Sequence, residues 1–303
     1  MSITTINPSK RAAGASTPSR GGDLVALYPR RERVIAVTGG KGGVGKSTIA
    51  VNLAVAYADR GAKTLAVDAD FGMADLNLLL GVAPQKNLLD VIGGTRIEDA
   101  LVSCHGISLL PAANGSYSLE SMSDKMRHRA FHAIESLSAD FDTLIIDVAA
   151  GIGANQTEFA GAAADVVVIV TPEALSLADA YACLKVLFLR QGLRRAYVVP
   201  NRVRNKQEGE EVFSRLQSLV SRFLDLELVC LPSVPIDARF NSAAAAGIPV
   251  VKAYPDSSAA RAIRGIARKL DAVAVPDSRA QATGSFWREL LAMESPEQRK
   301  AQK

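Results

Sequence analysis

From residue 33 onward the chain alternates between two hydrophobic periods. Short, nearly unbroken apolar runs rich in β-branched residues occur at 33–38 (RVIAVT), 64–70 (TLAVDAD), 107–112 (ISLLPA) and 142–148 (DTLIIDV), and again at 165–171 (DVVVIVT), 196–201 (AYVVPN) and 226–232 (LELVCLP). Strands covered on both faces carry runs of this kind, because neither face needs polar residues. Between them, 46–60, 122–138, 174–190, 207–224 and 257–271 read as helices. The alternation predicts an α/β, three-layer architecture with a mostly parallel central sheet flanked by helices. Ligands of such sheets gather at the carboxyl ends of the strands.

The pattern occupies 33–271 as one domain. Before it, 1–32 is rich in Ser, Thr, Gly and Pro and reads as a disordered basic arm. After it, 272–303 reads as a linker and a short amphipathic helix at 285–294 (SFWRELLAME), with Phe286, Trp287, Leu290, Leu291 and Met293 on one broad face.

Charge sharpens that division. The net +4 is carried by residues 1–33, which hold six basic and two acidic side chains, and the rest of the chain balances. No apolar run reaches the roughly 18–20 residues that span a bilayer, and the N-terminus lacks the apolar stretch of a secretory signal. Three cysteines, Cys104, Cys183 and Cys230, are too few and too scattered for a disulfide framework or a CxxC metal site. A cytoplasmic setting is the expectation.

The strongest chemical signal follows the first strand. GGKGGVGKST (39–48) leads into IAVNLAVAYADRG, so strand, glycine-rich loop and helix come in sequence, and Gly40 to Ser47 fit G-x-x-x-x-G-K-[ST]. Gly40, Gly42, Gly43, Val44 and Gly45 are expected to turn backbone N–H groups toward a polyphosphate, helped by the positive end of the helix. Lys46 would reach the β- and γ-phosphates, Ser47 would sit on Mg²⁺, and Thr48 would cover the α-phosphate region. Asp68 and Asp70 end the 64–70 strand on the same side. TLIIDV then brings Asp147 to a strand end, where its carboxylate would hold Mg²⁺ through a water.

A phosphate loop needs only Lys46, yet Lys41 stands five residues earlier. KGGVGK (41–46) resembles the deviant Walker A loop of the MinD/ParA family of P-loop ATPases. The resemblance covers about 33–271 and implies a P-loop NTPase fold, ATP and Mg²⁺ as cofactors, and an ATP-dependent homodimer. Lys41 would then be lent to the nucleotide of the partner copy, as arginine fingers are elsewhere. It also implies that Asp70 orients the attacking water, with Asp68 near the metal. DADFGMADLNLLLG (68–81), LLPAANGS (109–116) and 146–187 resemble the FlhG (FleN/YlxH) branch in particular, which regulates flagellar number and placement. That branch implies peripheral attachment to the cytoplasmic membrane through 285–294 when ATP is bound. It also implies an activating partner such as an FlhF-like GTPase or a flagellar switch component.

For the base, NKQE (205–208) fails as a guanine reader, since Glu208 replaces the aspartate. Asn201, at a strand terminus, has an amide suited to the adenine edge, and the family carries asparagine followed by arginine there, here Arg202. The stretch 231–250 resembles the family's adenine-side loop, which brings in Pro235 and Asp237. The alternative function is a ParA-type ATPase binding nonspecific DNA for cargo positioning, motivated by Arg190, Arg194, Arg195, Arg202, Arg204 and Lys206 within 17 residues.

Overall fold

The computed structural model describes residues 33–70, 74–112 and 140–273. The expected arm 1–32, the helix 122–138 and the segment 285–294 lie outside the described residues.

In chain order the elements are β1 (Arg33–Thr38), α1 (Lys46–Ala58), β2 (Thr64–Ala69), α2 (Leu76–Leu79), α3 (Leu88–Ile92), a 3₁₀ turn (Ile97–Ala100), β3 (Val102–Cys104) and β4 (Ile107–Leu110). They continue with β5 (Thr143–Val148), α4 (Ala154–Ala162), β6 (Asp165–Val170), α5 (Ala174–Gln191), β7 (Arg195–Val203), α6 (Lys206–Phe223), β8 (Glu227–Cys230), β9 (Val234–Pro235), α7 (Ala238–Ala245), α8 (Val250–Ala253) and α9 (Ser258–Ala272). Among the described residues the sheet order is β3-β4-β2-β5-β1-β6-β7-β8, with β9 added to the end of β7. Every pairing is parallel except β3 with β4. That hairpin closes through His105 and Gly106, both at positive φ, as a tight two-residue turn between right-twisted strands requires.

Strand periodicity divides the core in two. Val34, Ala36, Leu65, Val67, Leu144 and Ile146 face one way, against Phe159 of α4, Leu184 of α5 and Leu216 of α6. Ile35, Val37, Ala66 and Ile145 face the other way, against Leu53 of α1 and Ile263 and Ile266 of α9. Both faces of the central strands are therefore buried, which explains their unbroken apolar runs. Each buried Val, Leu, Ile or Phe side chain contributes about 1.5–3 kcal/mol.

The amino ends of the strands are tied by charge. Arg33, opening β1, is buried with its guanidinium on Asp165 of β6 and reaches Asp271 of α9 at 3.4 Å. Asp271 also accepts from Tyr57 at 3.1 Å and from Arg60 at 2.6 Å. A buried guanidinium is tolerated here because it is paired and hydrogen-bonded.

Candidate nucleotide-binding site

β1 delivers the chain to the loop 39–45 at the carboxyl edge of the sheet, and α1 begins at Lys46. Gly43 and Gly45 have φ of 77° and 97°, values that an L side chain adopts only with strain. The loop's base is crowded and its crest is open. A β-carbon at Gly40 would lie 2.0 Å from the Asp179 carbonyl oxygen of α5, and one at Gly45 would lie 2.5 Å from the Asn201 amide. Gly42 and Gly43 meet nothing within 4 Å. Gly45 occupies the N-cap of α1 with no side-chain cap, so the first amides of the helix are left for a ligand.

Lys46 is buried and Lys41 is not. Lys41 turns back onto its own chain, its ammonium 3.0 Å from the Glu173 carboxylate at the N-cap of α5. Sequence reasoning missed Glu173. Only the strand order of the folded sheet reveals it: it follows β6, which pairs with β1, at the carboxyl edge.

Two carboxylates complete the site. Asp68 and Asp147 are direct partners in the register of β2 and β5, and both are buried. Asp68 accepts from the backbone N–H of Asp70 at 3.0 Å and of Leu76 at 3.2 Å, so half-buried Asp70 lies at the same strand end. The Ser47 hydroxyl lies beside the Asp147 carboxylate, and Asp147 Oδ1 is buried without a hydrogen-bond partner. Burial lifts Asp147 to about 7 against the pull of Ser47 and Lys46. Burial and the charge of Asp147 lift Asp68 to about 7 as well. Two buried acids, one with an orphaned oxygen, beside a hydroxyl and an open glycine loop fit a hard dication such as Mg²⁺.

The residues expected on the base side have partners within the protein. Asn201 is buried, donates its amide to the Val44 carbonyl at 2.7 Å and accepts from the Arg202 N–H at 2.9 Å. It braces the phosphate loop from the end of β7. Arg202 is exposed at φ 56°, where the pairing of β7 with β9 slips by a residue. Pro235 ends β9 in that same pairing. Asp237 caps α7 through the Arg239 N–H at 3.0 Å and accepts from Ser258 Oγ at 3.0 Å. Its carboxylate is committed to the starts of two helices. Burial pushes its pKa up, but these hydrogen bonds outweigh that and leave it lowered.

The cation run 190–206 also separates in space. Arg190, Arg194 and Arg195 precede or open β7 and Arg202, Arg204 and Lys206 end or follow it, some 25 Å along a nine-residue strand. Arg195 is paired with Glu227, Arg204 with Glu208 and Lys206 with Glu210. No helix among the described residues is long and apolar enough to cross a membrane.

Known proteins agree with this geometry. A family model described as ParA, NUBPL iron-transfer P-loop NTPase, matches residues 30–271. The antiactivator FleN of Pseudomonas aeruginosa is 38% identical over 246 residues, covering 80% of this chain and 88% of that protein. The flagellum site-determining protein YlxH of Helicobacter pylori is 33% identical over 186 residues, covering 61% of this chain and 63% of that protein. The solved structure of the septum site-determining protein MinD from Pyrococcus horikoshii, complexed with Mg-ADP, superposes with a TM-score of 0.62 at 28% identity, covering 79% of this chain and 96% of that one. The glycine loop between β1 and α1, the paired carboxylates at the sheet edge and the extent of these matches lead to one assignment: the chain belongs to the ParA/MinD family of P-loop NTPases.

Proposed function

We propose that this protein is a Mg²⁺-dependent ATPase switch that pairs two copies of itself across ATP and governs the position or number of flagella. The observation that carries the reading is the division of labour between two lysines of one loop. Lys46 is buried beneath the site, and Lys41 stands at its rim, 36% exposed and paired among the described residues with the solvent-facing carboxylate of Glu173.

In this reading Lys46 and the amides of Gly42 to Thr48 bind the triphosphate, while Ser47, Asp147 and Asp68 hold the metal. Bound Mg²⁺ supplies charge that offsets what develops on the phosphate oxygens. Asp70 orients water. An exposed ion pair is worth about 0–1 kcal/mol, so Lys41 leaves Glu173 readily for the phosphates of the partner copy. FleN and YlxH, whose names concern an antiactivator and flagellum site determination, support the flagellar setting. Membrane attachment through 285–294 and release by an activating protein belong to the same reading. Two copies, each bringing one weak helix, gain effective concentration at a bilayer. ParA-type carriage on nonspecific DNA has less behind it, because the arginine run is divided between the two ends of β7.

Lys41→Ala tests the proposal. ATP affinity should stay within about threefold, while phosphate release falls on the order of 10³-fold, the scale of a lost arginine finger. Light scattering with ATP reports the dimer in parallel. Wild-type turnover by a monomer would refute the trans role, and sedimentation with DNA but not with vesicles would favour the ParA alternative.

A further inference from the structure

The last described helix, α9, reads SAARAIRGIARKLDA and carries four cations against one acid in 15 residues. Ile263, Ile266 and Leu270 face the core, where α9 packs on α1. The helical period sends Arg261, Arg264, Arg268 and Lys269 to the other side, within an arc of about 140° and a length of about 12 Å. Arg261, Arg268 and Lys269 are exposed, and Arg264 is half-buried.

What these cations bind decides what they offer. Arg261 donates to the Asp256 carbonyl, and Arg264 donates to the carbonyls of Pro255 at 2.6 Å and Val251 at 2.9 Å. A neutral carbonyl orients a guanidinium without cancelling its permanent charge. Neither Arg268 nor Lys269 forms an ion pair among the described residues. The neighbouring acids are engaged elsewhere. Asp271 holds Arg33, Tyr57 and Arg60, Asp59 holds Lys252 of α8, and Glu210 of α6 holds Lys206. Asp256 is exposed ahead of the N-cap, Ser257, at the opposite end of the helix from Arg268 and Lys269.

From the end of α9 the chain runs on into 273–303. Residues 272–303 hold five basic and four acidic side chains, so 285–294 gains almost no pull toward an anionic surface from its own tail. It begins 13 residues beyond Ala272, a span of about 45 Å when extended, so a bilayer that holds 285–294 is within reach of α9. We propose that the outer face of α9 is a second membrane contact, a cationic face for the anionic headgroups of that bilayer. The proposal rests on the membrane reading above and adds an electrostatic share from the folded domain itself. Lipid phosphates accept from guanidinium and ammonium alike, and a fluid layer of headgroups rearranges to meet them. Nonspecific DNA offers the same phosphates, but the tether to 285–294 favours the bilayer. Two copies joined on ATP double the charge that meets one membrane.

The test sediments the full chain, with ATP and Mg²⁺, on phosphatidylcholine vesicles with and without phosphatidylglycerol. A triple variant, Arg261→Gln, Arg268→Gln and Lys269→Gln, is compared with wild type and with a charge-matched control, Lys185→Gln, Arg215→Gln and Arg222→Gln, on the opposite helical layer. All six positions are exposed, and unchanged melting temperature and turnover in solution certify both proteins. A cation near an anionic membrane is worth about fivefold, so the α9 variant should bind anionic vesicles on the order of 100-fold more weakly, and Arg268→Gln alone about fivefold. The control should match wild type, and on neutral vesicles all should bind alike. Raising salt from about 0.1 M to 1 M shortens screening from about 10 Å to 3 Å and should erase the difference. Equal binding of wild type and α9 variant to anionic vesicles, or an equal loss in the control, would overturn the proposal and leave attachment through 285–294 standing. No binding of wild type to either vesicle would sink both. Loss of DNA binding in place of vesicle binding would make the face a nucleic-acid one and overturn the proposal too.

Discussion

Asn201 and Val44 are separated by 157 positions in the chain and joined by one buried hydrogen bond. That bond fixes the phosphate loop to the end of β7, and Gly45 has no β-carbon because the same amide fills the space. Asn201→Ala should cost about 1–3 kcal/mol by stranding a buried carbonyl, read as a lower urea midpoint. If its role is that of a brace, affinity for ATP and for GTP should fall together; a change in their ratio would show that Asn201 reads the base. The loop residues 40–48 were legible in the sequence because their chemistry is local: spacing, glycine and a following helix suffice. The intramolecular partners of Asn201 and Asp237 were not legible in the sequence. Residue type says that an amide or carboxylate seeks partners, and only the tertiary fold says which ones come within reach.

At the scale of elements, Asp237 is a joint. It caps α7 and takes a hydrogen bond from the first residue of α9. Asp237→Ala should remove about 1–2 kcal/mol, the range for a lost cap, measured by urea unfolding, with nucleotide affinity unchanged. The seven apolar runs all became strands, since continuous β-branched stretches leave the chain few alternatives. β3 escaped notice because three residues carry no period. α4, with sequence ANQTEFAGA, has little amphipathic pattern and takes its helical form from packing against α5. α5 was read as a helix, but its sequence leaves open which side meets the sheet, because apolar residues occur nearly all round it.

For the whole molecule, two buried acids make stability depend on pH and on ligand. Asp68 and Asp147 stand near 7 in the folded state against an ordinary value of 3.8. Between those values the folded protein binds more protons than the unfolded chain, so stability falls as pH rises from about 4 through 7. The nucleotide-free protein should melt several degrees lower at about pH 8 than at about pH 5. Mg²⁺ with ATP should narrow that gap, and Asp147→Asn should flatten the profile. Scanning calorimetry checks all three. The ion pair between Arg33 and Asp271 has a geometric consequence as well. The chain enters and leaves the described body at one pole, the far end of β1 from the phosphate loop. A circular permutant that joins Asp271 to Arg33 through a short glycine–serine bridge, and is reopened at the exposed Gly93–Gly94 turn, should therefore fold and retain nucleotide. Fluorescent tags joined at Arg33 or Asp271 would ride on the pole away from the phosphate loop.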